Sequence, residues 1–430
     1  MLIQFRVENH RSLRDEQVLS LVAASLGDSK DPRLLRPQGL GEALLPTVAL
    51  YGANASGKSN VLNALGFMRE AVLRSHRFWE PEAGTPQEPF ALSNKVKAPS
   101  LYEVDILVEG VRFRYGFVLS AERIEEEWLH TWPHGRKQVL FEREGDHFEF
   151  GKHLRGENEI IRGLTRVNSL FLSAAAQNNH AALLPIFGWF RAARFELHRS
   201  PLRGLEPSQF IALRSMLSWQ LSLFDEDNKA RQHARDALVH LLRAADLGVL
   251  DIKVTTREAP RSYRGPQSRF DTAGLEVFLR HQAEAGHEVW LPLEQESAGT
   301  ITLLGIATQL VHLLKHGGLL CVDELEASLH PMLGLKLLQL FHEPRRNPKG
   351  AQLLFTTHDT NLLGNVLGES VLRRDQIWFT EKDRAGATHL YPLTDFHPRK
   401  EENLERGYLQ GRYGAVPFLG QLVTTPGEEN

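Results

Sequence analysis

The sequence predicts an α/β protein. A mixed sheet surrounds a phosphate-binding loop, the N-terminal part is antiparallel, and a mainly helical insertion interrupts the whole. Three observations lead there. Residues 52–59 read Gly-Ala-Asn-Ala-Ser-Gly-Lys-Ser, a full G-x-x-x-x-G-K-[ST] pattern. It lies between an apolar run, Thr47–Tyr51, and a helix-compatible run, Ser59–Leu73, which is the strand–loop–helix setting such a loop needs. Leu101–Leu107 and Val111–Leu119 alternate around Glu109-Gly110, as the arms of a hairpin do. From 297 to 396 the order is helix, strand, helix, strand, helix, strand, which suggests parallel βαβ units.

In chain order, strand-like segments at 2–8 and 47–51 flank an irregular stretch rich in Gly, Pro and Leu. A polar loop with Pro81, Gly84, Pro86 and Pro89 follows the first helix. Val139–Glu144 and His147–Phe150 form a further hairpin around Gly145-Asp146. From 157 to 247 the pattern turns helical, with apolar residues at three- and four-residue spacing in Gln209–Phe224 and Lys229–Ala245. That stretch is too short and irregular for a long coiled coil, which needs sustained heptads. Strand patterns return at 249–256 and 275–293, separated by a polar loop. The expected division is 1–175 for the half that carries the phosphate loop, 176–290 for a helical arm with a hairpin, and 291–430 for the second half of the same domain.

With 430 residues, 42% hydrophobic and 24% charged, the chain has room for two or three domains and a large core. A net charge of −3 gives no whole-molecule field toward nucleic acid or a membrane surface. One cysteine, Cys321, allows no disulfide within the chain, and a cytoplasmic location fits. Residues 1–8 alternate like a strand and lack the order of a signal peptide. The longest apolar run, Ile301–Leu314, falls short of the roughly 18 residues of a membrane span and reads as a buried helix.

The chemistry starts at the phosphate loop. Gly52 and Gly57 let the backbone curl so that the N–H groups of Asn54, Ala55, Ser56 and Gly57 face an anion. The helix that starts at Lys58, Ser59 and Asn60 adds its positive end. Lys58 is expected to reach the β- and γ-phosphates of ATP, and the Ser59 hydroxyl to hold Mg²⁺. Leu319–Glu324 is an apolar strand ending in two carboxylates. Asp323 sits where an acid holds Mg²⁺ directly or through Ser59, and Glu324 where a carboxylate orients and deprotonates a water. Taken alone, the pair also fits a helix N-terminus, which favours acids. Gln352–His358 is a further apolar strand, and at its tip His358 can donate a hydrogen bond to the γ-phosphate.

In this order the motifs resemble the ABC-type ATPases of the SMC, RecF and OLD branch. Asn9-His10-Arg11-Ser12 is similar to that branch's Asn-x-Arg turn, which implies nucleotide contacts from Asn9, Arg11 and Ser12. Glu296-Ser297-Ala298-Gly299-Thr300 resembles its serine–glycine signature, departing from Leu-Ser-Gly-Gly-Gln at Ala298 and Thr300, and implies roles for Ser297 and Gly299. Glu326–Pro331 looks like its D-loop, in the Glu-x-Ser-Leu-His-Pro form of the RecF and OLD side. Tyr408–Pro417 looks like the closing segment of RloA- and AbiL-type AAA ATPases, in the neighbourhood of the PARIS-system ATPase AriA. The resemblance covers 1–175 and 290–420. It implies a homo-oligomer with heads paired head to tail, each nucleotide held between one chain's phosphate loop and the other's signature helix. It also implies a sensor or regulator of a separate effector protein in antiphage defence. The alternatives are a RecF-like repair ATPase that binds DNA directly and an ATP-binding scaffold with little turnover.

Other residues weigh less. Arg257, Arg261, Arg264 and Arg269, with Tyr263, suggest a phosphate-contacting loop for DNA or RNA but also fit a solvated one. Gln87 is a candidate for the branch's Mg²⁺-contacting glutamine. The 19 histidines look scattered, and His389 and His397 read as surface residues. The stretch after His358 is too short for the Toprim nuclease that some OLD proteins carry.

Overall fold

The computed structural model describes residues 1–28, 30–133, 135–196, 229–244, 248–256, 275–282, 287–326, 331–364, 370–399 and 402–417. Strand β3 (Thr47–Tyr51) is buried at all five positions, which explains its unbroken apolar run. It is the middle of a six-stranded sheet. On one side lie β14 (Gln352–Thr356), β13 (Leu319–Val322) and β9 (Arg194–Glu196), all parallel. On the other lie β15 (Ile377–Lys382), parallel, and β16 (Thr388–Pro392), antiparallel. Alternate residues feed different cores. Val48 and Leu50 face one core, while Ala49 and Tyr51 face the other.

Helix α1 (Lys58–Phe78) fills the first core. Its Val61, Leu62, Leu65, Met68 and Val72 recur at three- and four-residue spacing and meet Phe5, Val7, Tyr102 and Val104. Each contributes about 1.5–3 kcal/mol by leaving water. The residues from β1 (Leu2–Glu8) and β4 (Ser100–Val108) belong to a second sheet, seven antiparallel strands that also include β2 (Gln17–Ser20), β5 (Val111–Leu119), β6 (Ile124–Thr131), β7 (Gln138–Glu144) and β8 (His147–Phe150). The helix is thus clamped between two sheets, with helices α2 (Asn158–Leu164), α3 (Phe171–Gln177) and α4 (Leu184–Ala192) closing the side. The mixed sheet and antiparallel N-terminal part match the expected class.

The second core packs helix α5 (Lys229–Ala244) and the hairpins of β10 (Val249–Thr256), β11 (Leu275–Gln282) and β12 (Glu288–Pro292) with α6 (Ala298–His316), α7 (Pro331–His342) and α8 (Leu404–Leu409). The strand patterns over 275–293 are β11 and β12, paired antiparallel. The helical reading of 157–247 hid β9, which pairs with β13. The helix expected between β14 and β15 is represented among the described residues by two short 3₁₀ helices, Thr360–Leu363 and Arg374–Gln376. The Gln209–Phe224 segment lies outside the described residues.

One buried charge fixes helix to sheet. Glu127 on β6 is fully buried. Its carboxylate accepts the Phe171 and Leu172 N–H groups at 2.6 and 3.0 Å and the Tyr115 hydroxyl at 2.9 Å, with Arg143 at 3.7 Å. It therefore satisfies the open N-terminus of α3 from across the sheet. Burial pushes its carboxyl above the ordinary value, against the pull of Arg143 and the two N–H groups. Glu127→Ala should cost about 3–5 kcal/mol in urea unfolding, because Arg143 and the α3 donors lose their acceptor. A loss below about 1 kcal/mol would mean the anchor is dispensable.

Candidate functional site

Strand β3 ends where the chain must turn sharply, and the glycines allow it. Gly52 has φ 156°, and a Cβ there would stand 2.5 Å from the Ser56 hydroxyl. Gly57, at φ 106°, has no room for one against the Thr388 side chain. Between them Asn54 and Ala55 are exposed at the tip. Lys58 is buried and folds back, donating to the Gly52 and Ala53 carbonyls at 2.9 and 3.1 Å. Burial lowers its ammonium from the ordinary lysine value, while Asp323, Glu324 and Glu326 pull the other way.

Three strand tips converge on this loop. The Ser59 hydroxyl donates to Asp323 Oδ1 at 3.0 Å, and the Thr356 hydroxyl donates to the same oxygen at 2.6 Å. Thr356 in turn accepts the Glu324 N–H at 2.7 Å. One hydroxyl thereby fixes both carboxylate residues of β13 from the neighbouring β14. Glu324 takes a left-handed backbone, φ 52°, and its side chain is exposed. His358 is also exposed at the tip of β14, and its N–H is held by Glu326. Partial burial and then Lys58 hold the imidazole below its usual range, against Glu326, Glu324 and Asp323. Residues 54–60, Glu324, His358 and Lys382 line a cleft of about 430 Å³. Sequence reasoning missed Lys382 and gave Thr356 no role.

The oxygen pair of Ser59 and Asp323 suits a hard divalent cation such as Mg²⁺, which keeps several waters and needs few protein ligands. Among the described residues no cluster of three or more His, Cys, Asp or Glu could hold a metal. Such an ion would take its other ligands from phosphate and water.

Some expected residues work elsewhere. Asn9 is buried at φ 56°. Its amide donates to the carbonyls of Lys95, Ala98 and Pro99 and accepts the Phe90 N–H, so it closes a loop and has nothing left for a nucleotide. Arg11 is paired with Glu88. Ser12 stands behind the phosphate loop, accepting Asn60 Nδ2 at 2.6 Å and meeting the Thr388 hydroxyl at 2.8 Å, so Ser12 and Asn60 brace each other. The Ser56 hydroxyl is turned inward to Thr380 at 2.6 Å, leaving only its backbone for an anion. Gln87 spends its amide on Ala98, Ser100 and Leu119 and is not in the cleft. Ser297 caps α6 by accepting the Thr300 N–H at 3.1 Å; neither it nor Gly299 lines the cleft of its own chain. The Arg257–Arg269 loop and residues 327–330 of the expected D-loop lie outside the described residues.

The Tyr408–Pro417 segment has a structural reason. Tyr408 packs edge-on against Tyr51 at 5.7 Å and stacks on Phe379 at 5.5 Å, and its hydroxyl donates to the Ala415 carbonyl at 3.2 Å. Tyr413 stacks on the other part of Phe379 at 6.0 Å. The segment is a floor beneath the phosphate loop.

A family model described as "AAA domain, putative AbiEii toxin, Type IV TA system" matches residues 48–364, from β3 to just past His358. No curated protein sequence matches the chain. Among solved structures the chain is similar to an SMC head bound to the C-winged helix domain of ScpA, at 12% identity and a TM-score of 0.45, covering 90% of this chain and 97% of that one. It is also similar to the SMC head domain from Thermotoga maritima, at 12% identity and a TM-score of 0.38, covering 91% and 98%. No helix among the described residues is long and apolar enough to cross a membrane.

The backbone of Glu324 gives a stability test. Glu324→Gly should raise stability by about 1 kcal/mol by relieving the left-handed strain, whereas Glu324→Gln should leave it unchanged. Thermal unfolding of both variants checks this, and equal melting temperatures would show the residue is unstrained.

Proposed function

The chain belongs to the AAA domain family whose model spans residues 48–364, and from that premise we propose that it is a Mg²⁺-dependent ATPase that controls a separate effector in prokaryotic antiphage defence. The observation that carries the ATPase reading is one cleft lined by the phosphate loop, Glu324 and His358, with Asp323 hydrogen-bonded to Ser59 of that loop. The toxin and type IV TA wording of the family description supports a defence role, as does the resemblance of the Tyr408–Pro417 segment.

The loop N–H groups and Lys58 bind the phosphates, Lys58 exchanging its two carbonyl partners for phosphate oxygens. Ser59 and Asp323 would hold Mg²⁺, which when bound neutralises charge on the phosphates. Glu324 orients the attacking water and takes its proton. His358 donates a ring N–H toward the terminal phosphate, a contact that ATP offers and ADP lacks. Ser297 and Gly299 stand outside the cleft of their own chain, in keeping with a second copy supplying them to complete the site.

Lys58→Ala should weaken ATP binding at least tenfold, as removal of a charged phosphate contact does. Glu324→Gln should bind ATP, turn over at least a hundredfold more slowly and shift toward dimer in light scattering. Wild-type turnover in the Glu324→Gln protein would remove Glu324 as the base. Specific activity should rise with protein concentration; a constant value over a range where the mass stays monomeric would rule out a shared site.

A further inference from the structure

The phosphate cleft contains one cation that neither the motif nor the catalytic reading uses. Lys382, the last residue of β15, lines it and is exposed. Strand periodicity explains its direction. Thr380, two residues earlier and so on the same face, touches the phosphate loop through Ser56. Lys382 stands one step nearer the mouth. The flanking acids face away and are occupied. Glu381 accepts the Tyr391 hydroxyl, and Asp383 holds Arg14 and the N–H groups of Ala385 and Ala387. Three other cations of this region have partners: Arg11 pairs with Glu88, Arg14 with Asp15 and Lys95 with Glu8. Among the described residues Lys382 itself forms no ion pair or side-chain hydrogen bond, which leaves a positive charge on the wall of an anion site.

The sheet order fixes which part of a nucleotide it would meet. Glu324 and His358 follow β13 and β14 on one flank of β3, while Lys382 ends β15 on the opposite flank. A nucleotide laid across the loop with its terminal phosphate by Glu324 and His358 therefore extends its inner phosphates toward β15. We infer that Lys382 is a second phosphate-binding cation of the cleft, contacting the α- and β-phosphate part of the nucleotide, which ATP and ADP share. The inference rests on the nucleotide-binding reading above and adds to it a residue outside the motif. Lys382 binds both nucleotides without distinguishing them, whereas His358 faces the phosphate that differs.

The test is calorimetric titration of the full chain with Mg·ATP and Mg·ADP, using wild type, Lys382→Ala and Lys382→Arg. Lys382→Ala should bind both nucleotides about tenfold more weakly, and the deficit should shrink as salt rises. Lys382→Arg should stay close to wild type. The melting temperature of the alanine variant without nucleotide should be unchanged, because the side chain has no partner to lose. Unchanged affinity for both nucleotides, a loss confined to ATP, or a lower melting temperature without nucleotide would each overturn the inference. Absence of any binding by wild type would instead overturn the nucleotide-binding reading itself.

Discussion

The site depends on one hydroxyl. Thr356 donates to Asp323 and accepts from the Glu324 backbone, so the ends of two parallel strands are locked at the height of the phosphate loop. Ser59 closes the chain from the first turn of α1. Four residues from three elements thus share a continuous hydrogen-bonded path whose central Thr356–Asp323 bond is buried, where such bonds are strong and an unmatched group is costly. The arrangement is rigid because each strand beneath it is buried on both faces, so none can slide by one residue without turning an entire row of apolar side chains outward.

Below and behind the loop the chain invests further polar contacts. Thr380 and Thr388 on the β15–β16 hairpin hold Ser56 through its hydroxyl and its carbonyl, and Ser12 and Asn60 brace the first turn of the helix. Thr380, Thr388 and Ser12 do not line the cleft. They fix the curvature that points the backbone N–H groups at a single spot. An anion site made of main-chain donors has no side chain to adjust, so its precision has to come from what supports it.

How much of this was legible in the sequence depends on how local the chemistry is. The phosphate loop and the Asp323-Glu324 strand are contiguous, and each announces itself by composition. The hydrophobic runs of β3, β13 and β14 are as plain, because strands covered on both sides need no polar alternation. The strand β6 was missed because Glu125-Glu126-Glu127 hides its period, although the third of these carboxylates points inward and anchors a helix. The strand β9 is three residues long and lies in helical surroundings, so only its pairing with β13 reveals it. Asn9 misled in the opposite direction. An asparagine in a turn suggests a ligand contact, yet here its tolerance of left-handed backbone and its four-fold bonding capacity close a loop. Lys382 carries no motif at all; the pairing of β15 with β3 puts it in the cleft.

The aromatic floor has a consequence for the handling of this polypeptide. Because Tyr408 packs against Tyr51, the residue before Gly52, helix α8 and the first glycine of the loop are mechanical neighbours despite lying far apart in the sequence. A protease nick, a shortened reading frame or a bulky fusion that dislodged α8 would leave every motif residue intact and still let the loop sag. Loss of ligand affinity after such trimming would then report on a missing support rather than on a missing tail function.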